Sequence, residues 1–251
     1  MKYVAFCSYG KDSLAQVILL KLLGYPLDEV INVDIKYSPT ISGEHPIMAK
    51  WIPTADKILK EQFNIAIKHI TAPKTFIDYF YKVKQKGNRI GECYGFPYII
   101  GAWCNSRLKV EVINKYIKSL NDDVTEYIGI AYDEPDRYKR LIAKNNKHIK
   151  YKSVLFEKQI TEQMAFDICT PYNLISPIYN KSFRGGCWFC VKQCMADLYD
   201  LWLNYNDYFL ELKKLEDDSK NTFKSNITLK EIEQKFINGY KPTRRKIKNA
   251  K

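Results

Sequence analysis

The sequence predicts an α/β fold in which helices flank a parallel sheet, and three features carry that expectation. Short apolar runs alternate with segments of helical period over roughly the first 160 residues. The first of those runs passes through a Ser- and Gly-bearing loop directly into a strong helix. Lastly, 46% apolar residues in a chain of 251, including 12 Phe, 19 Tyr and 4 Trp, can supply a sizeable core. That composition excludes disorder, collagen and coiled coil as descriptions of the whole chain. No stretch approaches 18 uninterrupted apolar residues, so no membrane span is expected.

Residues 3–7 form an apolar run closed by Ser8-Tyr9-Gly10, which predicts a buried strand. Residues 12–23 follow as a helix, because Leu14, Val17, Ile18 and Leu22 recur at helical spacing and Gly24 offers a stop. A second strand is predicted over 30–35. A helix over 46–63 sets Ile47, Trp51, Ala55, Ile58 and Leu59 near one face. Residues 65–70 alternate as a third strand should. Next come a helical stretch over 75–86, a Gly-rich joint over 87–95, and a long helix over 97–120 broken near Cys104. Residues 124–131 predict a fourth strand and 151–156 a fifth. From Thr161 the pattern turns to helices around a cysteine segment. Thr228-Leu229-Lys230-Glu231 is a capping box that predicts a last helix through about Ile237.

The net charge is +12, unevenly spread. Lys241, Arg244, Arg245, Lys246, Lys248 and Lys251 crowd the last residues without an acid among them. A second basic run covers Arg137, Lys139, Arg140, Lys144, Lys147, Lys150 and Lys152. Such runs hold polyanions by releasing their counterions, which makes nucleic acid a candidate partner of the tail; a solvated lysine-rich surface is the competing reading. The apolar stretch at the N-terminus is too short for a signal peptide and lacks a cleavage site, so the expected compartment is cytoplasmic.

The first strand ends in Ser8-Tyr9-Gly10-Lys11-Asp12-Ser13 and runs straight into a helix. A strand–loop–helix joint presents backbone N–H groups at the positive end of the helix dipole, a ready anion site. Gly10 allows close approach of a phosphate, Ser8 and Ser13 add hydroxyls, and Lys11 adds a charge. One glycine does not make a dinucleotide fingerprint, and the second glycine and Ser/Thr of a Walker A loop are missing.

This hexapeptide resembles the S-G-G-K-D-S loop of the PP-loop ATP pyrophosphatase superfamily, with Tyr9 standing where that family usually has glycine. The resemblance implies a Rossmann-like fold and cleavage of ATP between the α- and β-phosphates. It also implies that Lys11, Asp12 and Ser13 serve catalysis, with adenylation of an oxygen on the substrate. Further segments resemble the phosphoadenosine phosphosulfate reductase-like branch. They are Val33-Asp34, Gly43-Glu44-His45-Pro46, Ile128-Gly129-Ile130-Ala131-Tyr132-Asp133-Glu134-Pro135-Asp136-Arg137, Ile160-Thr161-Glu162, Pro177-Ile178-Tyr179 and Phe183-Arg184-Gly185-Gly186-Cys187. On that resemblance Asp34, Gly129, Glu134, Arg137 and Arg184 join the loop in holding ATP. From the residues alone, Asp34 at a strand end suits ribose hydroxyls or Mg²⁺, Glu134 with Arg137 equally suits a structural ion pair, and Arg184 suits a phosphate. His45, His69 and His148 show no metal-ligand spacing, and His45 is given no role beyond that of a surface residue. The expected division is a nucleotide-binding domain over 1–160 and a cysteine-bearing helical region with the basic tail over 161–251.

Cys187, Cys190 and Cys194 form C-x2-C-x3-C, and three thiols so close suggest a metal or cluster site. Cys104 is the candidate fourth ligand, since cluster-bearing members of the resembled family place a cysteine before Leu-Lys some eighty residues upstream. A [4Fe–4S] cluster is the first expectation and structural Zn²⁺ the second; Cys7, Cys93 and Cys169 are read as core or incidental thiols. Sulfonucleotide reductases act through a cysteine in a C-terminal tail, and here no cysteine follows Cys194. The resemblance therefore favours an enzyme that activates a substrate with ATP for sulfur incorporation or nucleic-acid modification, with a sulfur-donor protein as a candidate partner. A reductase-like enzyme and a non-catalytic nucleotide-binding module are the alternatives.

Overall fold

The computed structural model describes residues 1–180 and 185–243. The sheet is built from β1 (Lys2–Phe6), β2 (Glu29–Asp34), β3 (Ile67–Thr71), β4 (Val124–Ile128) and β5 (Ile149–Lys152). Its strand order is β3-β2-β1-β4-β5. β1 pairs in parallel with β2 and with β4, and β4 pairs in parallel with β5. The fold is thus the expected α/β, Rossmann-like one. The chain moves from β1 out to β3, then returns to lay β4 on the other side of β1. That reversal opens a crevice at the carboxyl ends of β1 and β4, where open α/β sheets bind ligands.

The helices are α1 (Lys11–Leu22), α2 (Pro46–Phe63), α3 (Phe76–Phe80), α4 (Trp103–Asn105), α5 (Glu111–Ser119), α6 (Pro135–Ile142), α7 (Val154–Glu157), α8 (Glu162–Cys169), α9 (Met195–Asn204), α10 (Asn206–Asp217) and α11 (Leu229–Ile237). α2 has the bounds the sequence predicts, and Thr228 caps α11 through the expected box with Glu231. The helix expected over 75–86 stops at Phe80. Beyond it Lys84 N–H donates to Glu92 O (2.9 Å) and Tyr94 N–H to Lys82 O (2.9 Å), so strand-like pairing takes the backbone groups. The long helix begins at Trp103 rather than 97, and a π-turn over Ser106–Val110 joins α4 to α5 near the predicted break. The predicted fifth strand over 151–156 is β5 followed by α7, with Ser153 capping the helix.

By internal contacts the chain forms two interleaved units rather than dividing once near residue 160. The sheet unit comprises Met1–Asp34, Ile47–Ile70 and Val112–Pro177, and the other comprises Ile35–Pro46, Thr71–Glu111 and Ile178–Lys251. α8 belongs with the sheet because it packs against α1, and Asp133 accepts the N–H of Glu162 at its start (3.1 Å). The core of the sheet unit centres on Val4, Ile31, Ile117 and Val124, with α1 buried along most of its length. The second unit is organised by aromatic rings: Tyr37, Phe76, Phe80, Phe96, Trp188, Phe189, Phe209, Phe223 and Phe236 share one cluster. Segment 71–111 joins that unit because it supplies three of these rings.

One buried carboxyl sets a pH dependence. Glu126 lies in β4, opposite Val4 and Tyr151, at 4% exposure, and burial raises its pKa from 4.5 to about 7 with Lys144 opposing. The folded state holds a proton that the unfolded chain releases. The contribution is most favourable below pH 4.5 and is lost as pH climbs from there through 7. Glu126→Gln is therefore expected to raise stability at pH 8 by about 1–2 kcal/mol, since the buried amide keeps part of the burial cost. The melting temperature should rise by several degrees at pH 8 and change little at pH 4.5. An equal shift at both pH values would refute the assignment.

Candidate active site

In the sheet unit, β1 delivers Ser8–Ser13 to the crevice and Gly10 is the N-cap of α1. Ser13 Oγ accepts the Ser8 N–H (3.1 Å) and donates to Gly10 O (2.9 Å), closing the loop on itself. The first turn of α1 points N–H groups outward at the positive end of the dipole. Lys11 Nζ lies 2.9 Å from Glu162 Oε2 and 3.1 Å from Asp12 Oδ2. Burial works against its charge, but Glu162 and Asp12 outweigh it and hold the ammonium above its usual pKa. Burial raises the Asp12 carboxyl, with Lys11 opposing. Asp12 Oδ1 is buried without a hydrogen-bond partner. A buried, unsatisfied carboxylate oxygen beside a phosphate loop suits a hard cation such as Mg²⁺.

Tyr9, where the resembled family has glycine, adopts φ 57°, a left-handed conformation that costs about 1–2 kcal/mol in a non-glycine residue. Its side chain offsets that cost. The ring is 1% exposed, stacks on His69 at 6.1 Å and meets Trp51 edge-on at 6.4 Å. Its hydroxyl donates to Asp56 Oδ1 (2.5 Å) and lies 3.2 Å from His69 Nε2.

Gly129 follows β4 and packs on the loop's helix. A Cβ there would stand 2.7 Å from Asp12 O and 2.9 Å from Ser13 Cα, so only glycine allows this approach. Glu134 and Arg137 pair with each other at 2.7 Å across the start of α6, with the Arg137 side chain half exposed. Asp34 ends β2 and lies 3.1 Å from His69 Nδ1. Three contributors went unread in the sequence. Glu162 carried only its place beside Thr161, and Asp56 and His69 reach the loop from 47 and 60 residues away. Arg184 lies outside the described residues, as do Arg244, Arg245, Lys246, Lys248 and Lys251.

In the second unit, Cys104, Cys187 and Cys190 line one cavity of about 490 Å³, together with Lys109, Lys192 and Phe189. The cysteine segment is fixed by its neighbours. Trp188 N–H donates to Gly43 O and its indole N–H to Ser42 O, both at 3.0 Å, while Gln193 amide hydrogens reach Cys187 O and Trp188 O. Burial pushes the Cys187 thiol well up, with Glu44 and Cys190 adding to the effect. Burial and then Cys190 raise Cys104.

Cys194, expected as a ligand, does not line that cavity. It is the N-cap of α9, its sulfur taking the Asp197 N–H while Asp197 accepts the Cys194 N–H (3.0 Å). Among the described residues no three His, Cys, Asp or Glu side chains are grouped to hold one metal ion. Cys104, Cys187 and Cys190 nonetheless line one cavity with Lys109 and Lys192, and thiolates are the donors that iron–sulfur chemistry uses.

Cys7 and Cys169 are buried, as core thiols should be. His45, expected at the surface, is 8% exposed, with its ring edge-on to Tyr205 and Nε2 3.9 Å from Asp200. No helix is long and apolar enough to cross a membrane among the described residues.

No family model matches the chain. Over 108 residues it is 34% identical to an uncharacterised nin region protein, ORF290, of Escherichia phage lambda; the match covers 40% of this chain and 32% of that protein. The chain thus spans about a third of the length of that relative. Its structural neighbours include a phosphoadenylyl-sulfate reductase from Candida auris, in a phosphate complex. That structure has a TM-score of 0.43 at 10% identity, over 75% of this chain and 82% of that one. Another is the U34-tRNA thiolase NcsA from Methanococcus maripaludis with its [4Fe-4S] cluster, with a TM-score of 0.44 at 16% identity over 88% and 67%. The fold class stands on the order and register of this chain's own sheet.

Proposed function

We propose that the chain is an ATP pyrophosphatase of the PP-loop type, in the phosphoadenosine phosphosulfate reductase-like branch, which adenylates an acceptor oxygen. The observation that carries this reading is the Ser8–Ser13 loop at the β1/β4 crevice, with a partly buried Lys11 held between Asp12 and Glu162. The acceptor oxygen attacks the α-phosphorus, the bond to the bridging oxygen of the β-phosphate breaks, and pyrophosphate leaves carrying the negative charge. Loop N–H groups and Lys11 stabilise that charge, and the crevice orients the reacting groups. Asp12 would hold Mg²⁺, which neutralises phosphate charge when bound. Cys104, Cys187 and Cys190 would hold a [4Fe–4S] cluster, which supplies a site for sulfur when bound. A nucleic-acid acceptor agrees with the basic run from Lys241 onward, where phosphate contacts would be independent of sequence and weakened by salt. A sulfur-donor protein would then complete the reaction.

The test incubates anaerobically purified protein with α-labelled ATP, Mg²⁺ and either tRNA or duplex DNA. The expected products are pyrophosphate and labelled AMP joined to the acceptor, released as free AMP once sulfide or water displaces it, from a brown protein containing iron and sulfide. ADP and phosphate would sink the pyrophosphatase reading. Binding of ATP without turnover under every condition would favour a nucleotide-binding module instead.

A further inference from the structure

His69, on β3, touches three other elements of the sheet unit. Its Nδ1 lies 3.1 Å from Asp34 Oδ1 at the end of β2, and its Nε2 lies 3.0 Å from Asp56 Oδ2 on α2. The same Nε2 lies 3.2 Å from the hydroxyl of Tyr9 in the phosphate loop, and the two rings stack. With a carboxylate at each nitrogen, the ring is held from both sides in one orientation. A carboxylate at the carboxyl end of β2 is where open α/β nucleotide folds accept ribose hydroxyls. The loop's left-handed residue, for its part, is anchored through a side chain that reaches Asp56 and His69 and meets Trp51. One imidazole therefore stands between the two ends at which a nucleotide would be gripped.

We propose that His69 is a positioning residue of the nucleotide site, orienting Asp34 toward the ribose through Nδ1 and fixing Tyr9 of the phosphate loop through Nε2 and Asp56. The inference rests on the proposed ATP chemistry. It predicts that the two halves of the ring can be separated. In His69→Asn the amide can replace Nδ1 at Asp34 but falls short of Asp56. In His69→Gln the longer amide reaches Asp56 and Tyr9 and gives up the contact to Asp34 Oδ1.

Pyrophosphate release is measured with ATP, 2′-deoxy-ATP and 3′-deoxy-ATP, each with Mg²⁺ and with tRNA or duplex DNA as acceptor. The wild-type protein should favour ATP over at least one deoxy analogue by roughly tenfold or more, the size of a hydrogen bond to a charged group. His69→Gln should raise KM for ATP roughly tenfold, erasing that preference with kcat little changed. His69→Asn should keep the preference while kcat falls roughly tenfold, because the loop loses its anchor. Both variants behaving as wild type, or losing activity in parallel on all three nucleotides, would overturn the inference. A wild-type protein that cleaves none of the three overturns the ATP reading itself and this inference with it. If neither variant folds, Tyr9→Phe removes the hydroxyl alone. A fall in kcat with the ribose preference intact supports the anchor, and an unchanged kcat overturns it.

Discussion

Lys11→Ala is expected to slow pyrophosphate release from ATP by about 10²-fold or more, the cost typical of removing one preorganised donor to developing charge. Lys11 Nζ lies against both Asp12 and Glu162, at 3.1 and 2.9 Å. Its side chain is 16% exposed, so water cannot replace the lost charge fully. Without it the Asp12 and Glu162 carboxylates face one another and would repel an incoming triphosphate. The loss should therefore appear in both KM and kcat. Lys11→Arg keeps the charge on a longer, planar head and should recover part of the binding but little of kcat. Melting temperature distinguishes this from misfolding, since the fold is carried by β1, β4 and α1. Pyrophosphate release at the wild-type rate from Lys11→Ala would remove the loop from the chemistry.

The parts of this arrangement legible in the sequence are those made by neighbours along the chain. The loop, the helix it feeds, the bounds of α2 and the Thr228 cap depend on residues within a turn or two, and local signals specify them. Cys194 carries two signals at once. Its spacing from Cys190 suggests a ligand, yet Asp197 three residues on makes it the cap of α9, the role a Ser would take. The helix expected through Lys86 fails for a longer-range reason, as residues 82–84 find partners at 92–94 across a turn. His69 and Asp56 are illegible altogether. What gives them their position is that β3 lies beside β2 and α2 follows it, a matter of topology rather than spacing. Tyr9 is intermediate: the resemblance leads one to expect a glycine there, and in the fold a buried phenol supports a left-handed turn.

Gly129→Val is expected to cost about 3 kcal/mol or more and to disable the loop at the same time. Overpacking usually costs about 1–3 kcal/mol when side chains can yield, and here the atoms in the way are backbone. A Cβ at residue 129 would stand 2.7 Å from Asp12 O, 2.8 Å from Asp12 C and 2.9 Å from Ser13 Cα, all within the first turn of α1. Relief requires either that β4 withdraw from β1, to which it is paired from Val124 to Ile128, or that α1 shift at its N-terminus. The sheet pairing is long and buried, so the helix is the element that moves. Its displacement would carry Lys11, Asp12 and Ser13 out of register with the crevice. Misplacement of about 1 Å in a positioned group is enough to cost on the order of 10²-fold in rate. The melting temperature should fall by roughly 6–12 °C. Gly185→Ala is the comparison, because among the described residues nothing lies within 4 Å of a Cβ there and the fold should melt as wild type. A Gly129→Val protein that melts and releases pyrophosphate like wild type would mean that the β4 end and the first turn of α1 are not in the contact described. Loss of stability without loss of activity would mean that α1 stays in place and β4 yields instead.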